Sequence, residues 1–234
     1  EERGRVLGTV SKSLHDMRWE NVVRQRIEVG CAAASLATIM THYFGFPATE
    51  QDLADAMHAE ARARGEQELV RHIGFSMYHI QRVAEKGGLI ARGFRVPVEH
   101  IDQIRIPVIA RVSIRGYDHF LVLKGAEHGR VFVADPAFGN GSYRLAAFEK
   151  IWSGVLIGFV RRGANPVDHQ LLVQLEDDPG AAWERISAQA LGSLLDAGRP
   201  GTVSFSSQNL PGALSAIGGL ESVFPRVLGT FTRF

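Results

Sequence analysis

Residues 25–36 decide the fold class, and they read Gln25-Arg26-Ile27-Glu28-Val29-Gly30-Cys31-Ala32-Ala33-Ala34-Ser35-Leu36. Gly30 interrupts an extended segment, and the alanine-rich run after it favours a helix that reaches about residue 44. The pattern therefore predicts that Cys31 begins a helix. The positive potential at a helix N-terminus stabilises a thiolate, which makes Cys31 a candidate nucleophile.

Outward from this helix, the chain divides into a helical part and a strand part. Further helices are predicted at 49–64, where Thr49 and an acid three residues on approximate a capping box, and at 76–86. Strands are predicted at 90–96, 108–114, 120–124, 130–134 and 154–161, separated by Gly, Pro and Asp turns. Helices followed by an antiparallel sheet indicate the α+β class.

Three segments differ in character along the 234 residues. We predict an N-terminal lead-in at 1–20, a main domain at 21–162 and a C-terminal extension at 163–234 that is partly helical, with a helix at 181–195. Gly218-Gly219 in the extension is interpreted as a turn, and self-processing after Gly219 is the alternative.

Composition narrows the possible functions. Hydrophobic residues make up 45% and charged residues 22%, and the net charge of +1 argues against nucleic acid as a partner. The apolar run 155–160 is far shorter than the ~20 residues that cross a bilayer, so no membrane span is expected. Cys31 is the single cysteine, which excludes an intrachain disulfide and a thiolate zinc cluster; no cofactor is expected.

Three polar residues are predicted to join Cys31 in a catalytic site. His119 begins an apolar strand, and Asp135 ends the next one, so a hairpin would bring them side by side as a Cys-His-Asp triad requires. Gln25 lies six residues before Cys31, where its amide can point at an oxyanion. His42, the nearest rival base, is about 16 Å along the predicted helix and is interpreted as a helix-face residue.

Residues 25–36, Gly116-Tyr117-Asp118-His119-Phe120-Leu121-Val122-Leu123 and Val133-Ala134-Asp135-Pro136 together resemble the double-glycine leader peptidases, family thirty-nine of the cysteine peptidases. The resemblance covers roughly residues 20–162. It implies a papain-like α+β fold, with Cys31 as nucleophile, His119 as base, Asp135 as its orienting partner and Gln25 in the oxyanion hole. It also implies cleavage of a protein or peptide substrate after a Gly-Gly pair.

The family's members are often fused to ABC transporters, but no Gly-x-x-x-x-Gly-Lys-Ser/Thr nucleotide-binding signature occurs in this chain. The segments 20–25 and 39–45 resemble stand-alone, exported members, among them the peptidase-like component of the Fap functional-amyloid secretion system of pseudomonads. The resemblance implies an amyloid subunit or leader peptide as substrate and a secretion-system component as partner. Because the chain begins Glu1-Glu2-Arg3 without Met, we expect a removed targeting peptide and a periplasmic location, with a cytoplasmic location as the alternative.

Two alternatives to proteolysis stay open. The family usually has Gly directly after the nucleophile and often an acid or Ser before it, whereas this chain has Ala32 and Gly30. One alternative is therefore a peptidase-like module with little or no catalysis that binds a leader or export substrate. The other is acyl transfer, because an amine can replace water in resolving an acyl-enzyme.

Overall fold

The computed structural model describes residues 13–104 and 106–161 of the chain. Most of the predicted lead-in lies outside these residues. The same is true of the predicted extension, including the helix at 181–195 and the turn at Gly218-Gly219. The remaining predictions concern the described part and can be compared with it element by element.

Six α-helices occur in the described part, most of them before the first strand. They are α1 (Leu14–Trp19), α2 (Cys31–Thr38), α3 (Glu50–Arg64), α4 (Gln67–Ile73), α5 (Met77–Lys86) and α6 (Leu145–Glu149). Side-chain caps begin three of them, since Ser13, Thr49 and Ser76 each accept a hydrogen bond from the backbone N–H three residues on. The predicted helices at 49–64 and 76–86 are confirmed.

The helix that begins at Cys31 changes its winding before it ends. It was expected to be α-helical to about residue 44, but α2 ends at Thr38 and a π-helix (Ile39–Tyr43) continues it. There Phe44 donates its backbone N–H to the Ile39 carbonyl, a spacing of five residues. A short 3₁₀-helix (Val98–Gln103) lies between the first two strands.

The second part of the chain is a six-stranded antiparallel sheet. Its strands are β1 (Ile90–Arg95), β2 (Val108–Ile114), β3 (Tyr117–Glu127), β4 (Arg130–Asp135), β5 (Gly139–Arg144) and β6 (Trp152–Val160), in the order β1-β6-β2-β3-β4-β5. The central strands β2 and β3 are buried over most of their length, in the runs of Val, Ile and Leu, and are exposed near the turn that joins them. The α+β prediction is confirmed.

Strands β3 and β4 form a tight hairpin. Glu127 pairs with Arg130, and the connection is His128-Gly129, where both residues have positive φ (49° and 74°) as a two-residue turn requires. The strand predicted at 120–124 is thus longer in the structure, because pairing with β2 extends it back to Tyr117 and pairing with β4 extends it forward.

The core lies between the helices and the sheet. Helix α2 packs on β3, α3 packs on α2, and α5 packs on β1. Every residue of α2 after Cys31 is buried, so this helix is enclosed by the other elements. Small and apolar side chains on every side, with the Ser35 and Thr38 hydroxyls hydrogen-bonded, suit such a place. Packing on every side of α2 therefore fixes the position of Cys31, its first residue.

Candidate active site

Cys31 is the first residue of α2 and lies where this buried helix reaches the surface. Its side chain is partly buried, and Gly30 precedes it as the N-cap. The first N–H groups of a helix have no acceptor within the helix and point outward. The thiol therefore lies beside free backbone donors and the positive end of the helix dipole.

The contact between α2 and β3 places the thiol beside the predicted base. Ser35 donates its hydroxyl to the Phe120 carbonyl across 3.2 Å, and both groups are buried. Phe120 directly follows His119, and the His119 ring lies close enough to the Cys31 side chain for their interaction to raise the pKa of the imidazole. The structure thus brings Cys31 and His119 together, as the sequence predicted.

The hairpin brings His119 to Asp135. Val122 pairs with Ala134, so the beginning of β3 and the end of β4 lie at the same end of the hairpin. His119 Nε2 lies 3.0 Å from Asp135 Oδ1 and 3.1 Å from Oδ2. Because Nε2 faces the carboxylate, Nδ1 is the ring nitrogen left for Cys31. The imidazole thus lies between the Cys31 thiol and the Asp135 carboxylate.

The Asp135 carboxylate is fixed on its other side by the backbone. It is 2% exposed, and its Oδ1 accepts hydrogen bonds from the N–H groups of Ala137 (2.8 Å) and Phe138 (3.2 Å). These hydrogen bonds fix the Asp135 carboxylate directly behind the imidazole.

The charge state of the imidazole follows from these contacts. Burial disfavours the imidazolium, but the hydrogen bond to Asp135 and the contact with Cys31 outweigh it, and they raise the pKa of His119 from 6.5 to about 9. The ring is consequently cationic at neutral pH. A cation beside a thiol favours its thiolate form.

Gln25 lies in the loop that leads to Cys31, but its amide is turned toward the loop itself. Its Nε2 donates to the carbonyls of Ile27 (2.9 Å) and Glu28 (3.1 Å). Its backbone N–H donates to the carbonyl of Pro136 across 2.7 Å, which joins the loop to the residue after Asp135. Gln25 is therefore near the other three residues, with both amide hydrogens engaged by the backbone.

One residue of this neighbourhood gave no signal in the sequence. Glu50, the first residue of α3, is 7% exposed and accepts hydrogen bonds from the backbone N–H groups of Arg26 and Ile27. Nothing local in the sequence indicates this contact, because 24 residues separate Glu50 from Arg26. An acid in the first turn of a helix is common and reads as an ordinary helix start.

His42, the rival base considered from the sequence, and two further histidines have other surroundings than Cys31. His42 lies in the π-helix, as a helix-face residue. His79 is buried and contacts Ser76 and Glu66, and His128 occupies the exposed hairpin turn. Residues 13–104 and 106–161 contain no cluster of acidic, His or Cys side chains suited to a metal ion.

Across the same described ranges, every helix is too short or too polar to pass through a bilayer.

Comparison with known proteins gives consistent matches over this domain. The profile described as Peptidase C39 family matches residues 19–163. A probable functional amyloid protease FapD from Pseudomonas aeruginosa is 38% identical over 152 residues, which are 65% of this chain and 66% of that protein. A protein of the same name from Pseudomonas fluorescens is 33% identical over 68% of this chain and 69% of its own length. The chain thus spans about two thirds of the relatives it matches.

A solved structure agrees with the architecture. It is a double glycine motif protease from an AMS/PCAT transporter in complex with the leader peptide, and it superimposes with a TM-score of 0.50. The match covers 61% of this chain and 94% of that one at 23% identity, a level that establishes the fold alone. The papain-like fold predicted from the sequence is confirmed.

Proposed function

This chain belongs to the peptidase C39 family, and we propose that it is a cysteine endopeptidase that cleaves an exported protein or peptide at a Gly-Gly type site. The observation that supports this function is the position of the His119 imidazole between Cys31 and Asp135. The thiol lies at the start of a buried helix, and the imidazole is charged at neutral pH. A thiolate next to an imidazolium is the resting state that thiol hydrolases use.

In the proposed reaction each group has one task. The Cys31 thiolate attacks the scissile carbonyl carbon, and its electron pair forms the S–C bond while the carbonyl oxygen becomes an oxyanion. His119 then gives the Nδ1 proton to the leaving amine as the C–N bond breaks, which leaves an acyl-enzyme. Water, deprotonated by the neutral imidazole, attacks the thioester and restores the thiolate. Asp135 keeps the ring oriented and stabilises its charge throughout.

The oxyanion would form where the free N–H groups of α2 point outward. The backbone N–H of Cys31 supplies one donor there. Gln25 is proposed as the second donor, and this role requires one of its amide hydrogens to leave the carbonyl of Ile27 or Glu28 when substrate binds. Hydrogen bonds of this kind often reach their final alignment only in the complex.

The proposed substrate follows from the names of the relatives. Two relatives are named as probable functional amyloid proteases, and the solved relative is a double glycine motif protease with a bound leader peptide. These names support an amyloid subunit or leader peptide as the substrate. A secretion-system component as partner and the periplasm as the compartment are part of the same proposal.

A second candidate is a peptidase-like module that binds an export substrate and turns it over weakly or not at all. The position of Gln25 favours it, because an amide with both hydrogens bonded to its own loop offers none to an oxyanion. Ala32, where the family usually has Gly, is consistent with an altered oxyanion site. Binding and cleavage must therefore be measured separately.

One experiment separates the peptidase from the binding module. It uses internally quenched peptides with a central Gly-Gly pair, and matched peptides in which the second Gly is Val. A peptidase cleaves only the Gly-Gly peptide, loses cleavage in Cys31→Ala and His119→Ala, and keeps it in His72→Ala, which changes an exposed histidine on α4. Equal binding by wild type and Cys31→Ala without product supports the binding module. Cleavage that persists in Cys31→Ala contradicts the proposed mechanism.

A further inference from the structure

The Glu50 carboxylate is buried and bonds only backbone groups. Oε1 lies 3.1 Å from the N–H nitrogens of both Arg26 and Ile27, and Oε2 lies 2.9 Å from that of Arg26. Among residues 13–104 and 106–161, no basic side chain pairs with it. A buried carboxylate without a cation is unfavourable unless its hydrogen bonds compensate. Here the first turn of α3, in which Glu50 lies, adds the favourable end of a helix dipole.

The same carboxylate explains why residue 30 is glycine. Gly30 has φ −81° and ψ −1°, a conformation open to any residue, so its backbone does not require glycine. The lack of space favours glycine instead, because a Cβ at residue 30 would overlap Glu50 Oε1 and would lie 3.0 Å from the Ile27 carbonyl oxygen. The Glu50 side chain therefore occupies the volume that a side chain before the nucleophile would take.

The loop that ends at Cys31 is thus fixed from three directions. The Gln25 amide bonds it from within, the Pro136 carbonyl bonds its first residue, and Glu50 bonds its middle. Of these three contacts, only the one from Glu50 comes from a helix, α3. From this arrangement we propose that Glu50 is a positioning residue for Cys31, which sets the loop before α2 so that the thiol meets His119.

This inference rests on the proposed function, because it assigns Glu50 a role in the reactivity of the thiol. A carboxylate suits this place better than an amide, because Oε2 lies 2.9 Å from the Arg26 N–H nitrogen and must be an acceptor there. Glutamine would place an NH₂ group against a backbone N–H. Misplacement of a reacting group by about 1 Å lowers rates on the order of 10²-fold.

The test compares Glu50→Gln with Glu60→Gln. Glu60 is another buried carboxylate of α3, 8% exposed, but it pairs with Lys86 and Arg82 away from the loop. We expect Glu50→Gln to alkylate with iodoacetamide at pH 6 on the order of 10²-fold more slowly than wild type, and Glu60→Gln to alkylate at the wild-type rate. Hydrogen exchange of the Arg26 and Ile27 amides should quicken in Glu50→Gln alone.

Gly30→Ala supplies an independent route to the same defect. The added Cβ must displace the Glu50 carboxylate, so we expect Gly30→Ala to alkylate as slowly as Glu50→Gln. The double variant Gly30→Ala/Glu50→Ala should alkylate no more slowly than the slower of its two single variants, because both changes remove the same contact. If Glu50→Gln does not fold, Glu50→Asp keeps the charge on α3 but is too short to reach both amides. Slow alkylation of folded Glu50→Asp then supports the proposal.

Three outcomes separate this inference from the proposed function. Unchanged alkylation of folded Glu50 variants at pH 6, with wild type fast and dependent on His119, overturns the role of Glu50 and leaves the peptidase intact. Faster alkylation in Glu50→Gln would show that Glu50 acts only as a nearby negative charge, and this also overturns it. Slow alkylation of wild type that ignores His119 contradicts the proposed function itself.

Discussion

Replacement of Asp135 by asparagine is the sharpest test of the charged imidazole. Asparagine has nearly the same shape, and its Oδ1 can still accept from the N–H groups of Ala137 and Phe138. Its Nδ2 then faces His119 Nε2, where Asp135 Oδ2 lies at 3.1 Å. Only Oδ1, which lies 3.0 Å from Nε2, then remains as an acceptor for the ring N–H, and the negative charge behind the ring is lost.

The structure gives the size of the effect. The rise in the pKa of His119 from 6.5 to about 9 corresponds to about 3 kcal/mol in favour of the imidazolium. Asp135→Asn removes the main favourable contact while burial remains, so we expect the pKa of His119 to fall to 6.5 or below. At pH 7 the charged fraction of the ring then drops from nearly all to about a quarter or less.

Alkylation measures the consequence directly. Cys31 is the only cysteine, so every carboxamidomethyl group detected by intact mass reports this thiol. Wild type should react at pH 6, whereas Asp135→Asn should react on the order of 10²-fold more slowly and approach the wild-type rate only near the free-thiol pKa of about 8.5.

Asp118→Asn is the matched control. Asp118 directly precedes His119, but its carboxylate is 52% exposed and lies 3.7 Å from Arg111. It should leave the alkylation profile unchanged. Reaction of Asp135→Asn at pH 6 within threefold of wild type would refute the reasoning, and so would an equal loss in Asp118→Asn.

Three further predictions concern stability. In His119→Gln, the free energy of unfolding at pH 6 should fall below that of wild type. This difference should vanish as pH rises through about 9, because the ring of the folded protein binds its proton more tightly than the ring of the unfolded chain. Urea titrations at pH 6 and 9.5 check this. Burial lowers the pKa of Lys124 from 10.5 to about 8, although its Nζ donates to Asn140 Oδ1. Wild type should therefore gain stability relative to Lys124→Met between pH 8 and 10.5, and a constant difference would contradict this. Thr38→Val removes a hydroxyl that accepts from the Val23 N–H and donates to the backbone of α2, so we expect a loss of about 1–3 kcal/mol with alkylation at pH 6 retained.

The sequence carried strong local signals for the elements that present the triad. Gly30 and the alanine run marked the start of α2, and the β-branched runs marked β2 and β4. The placement of His119 and Asp135 on one hairpin followed from the short connection between two strands. Their contact was therefore predictable, and the structure brings them together.

Elements without apolar periodicity were not predictable in this way. Helix α4 has seven residues, too few for its apolar residues Leu69, Val70 and Ile73 to establish a helical period, and of these three only Val70 is buried. Strand β5 reads Gly139-Asn140-Gly141-Ser142-Tyr143-Arg144, which carries two glycines and no alternating pattern. The contact of Glu50 with the loop before Cys31 depends on tertiary packing, which no local pattern specifies.

The two halves of the site are brought together over very different lengths of chain. His119 and Asp135 are 16 residues apart on one hairpin, whereas the bond that fixes α2 to β3 spans 85 residues from Ser35 to Phe120. Closing the longer loop costs more chain entropy than closing the hairpin. The hairpin alone is enough to pair the imidazole with the carboxylate, whereas the thiol joins them only when α2 is packed on β3. Under the proposed function, a chain in which α2 is not packed on β3 would lack the Cys31–His119 contact and could not cleave its neighbours.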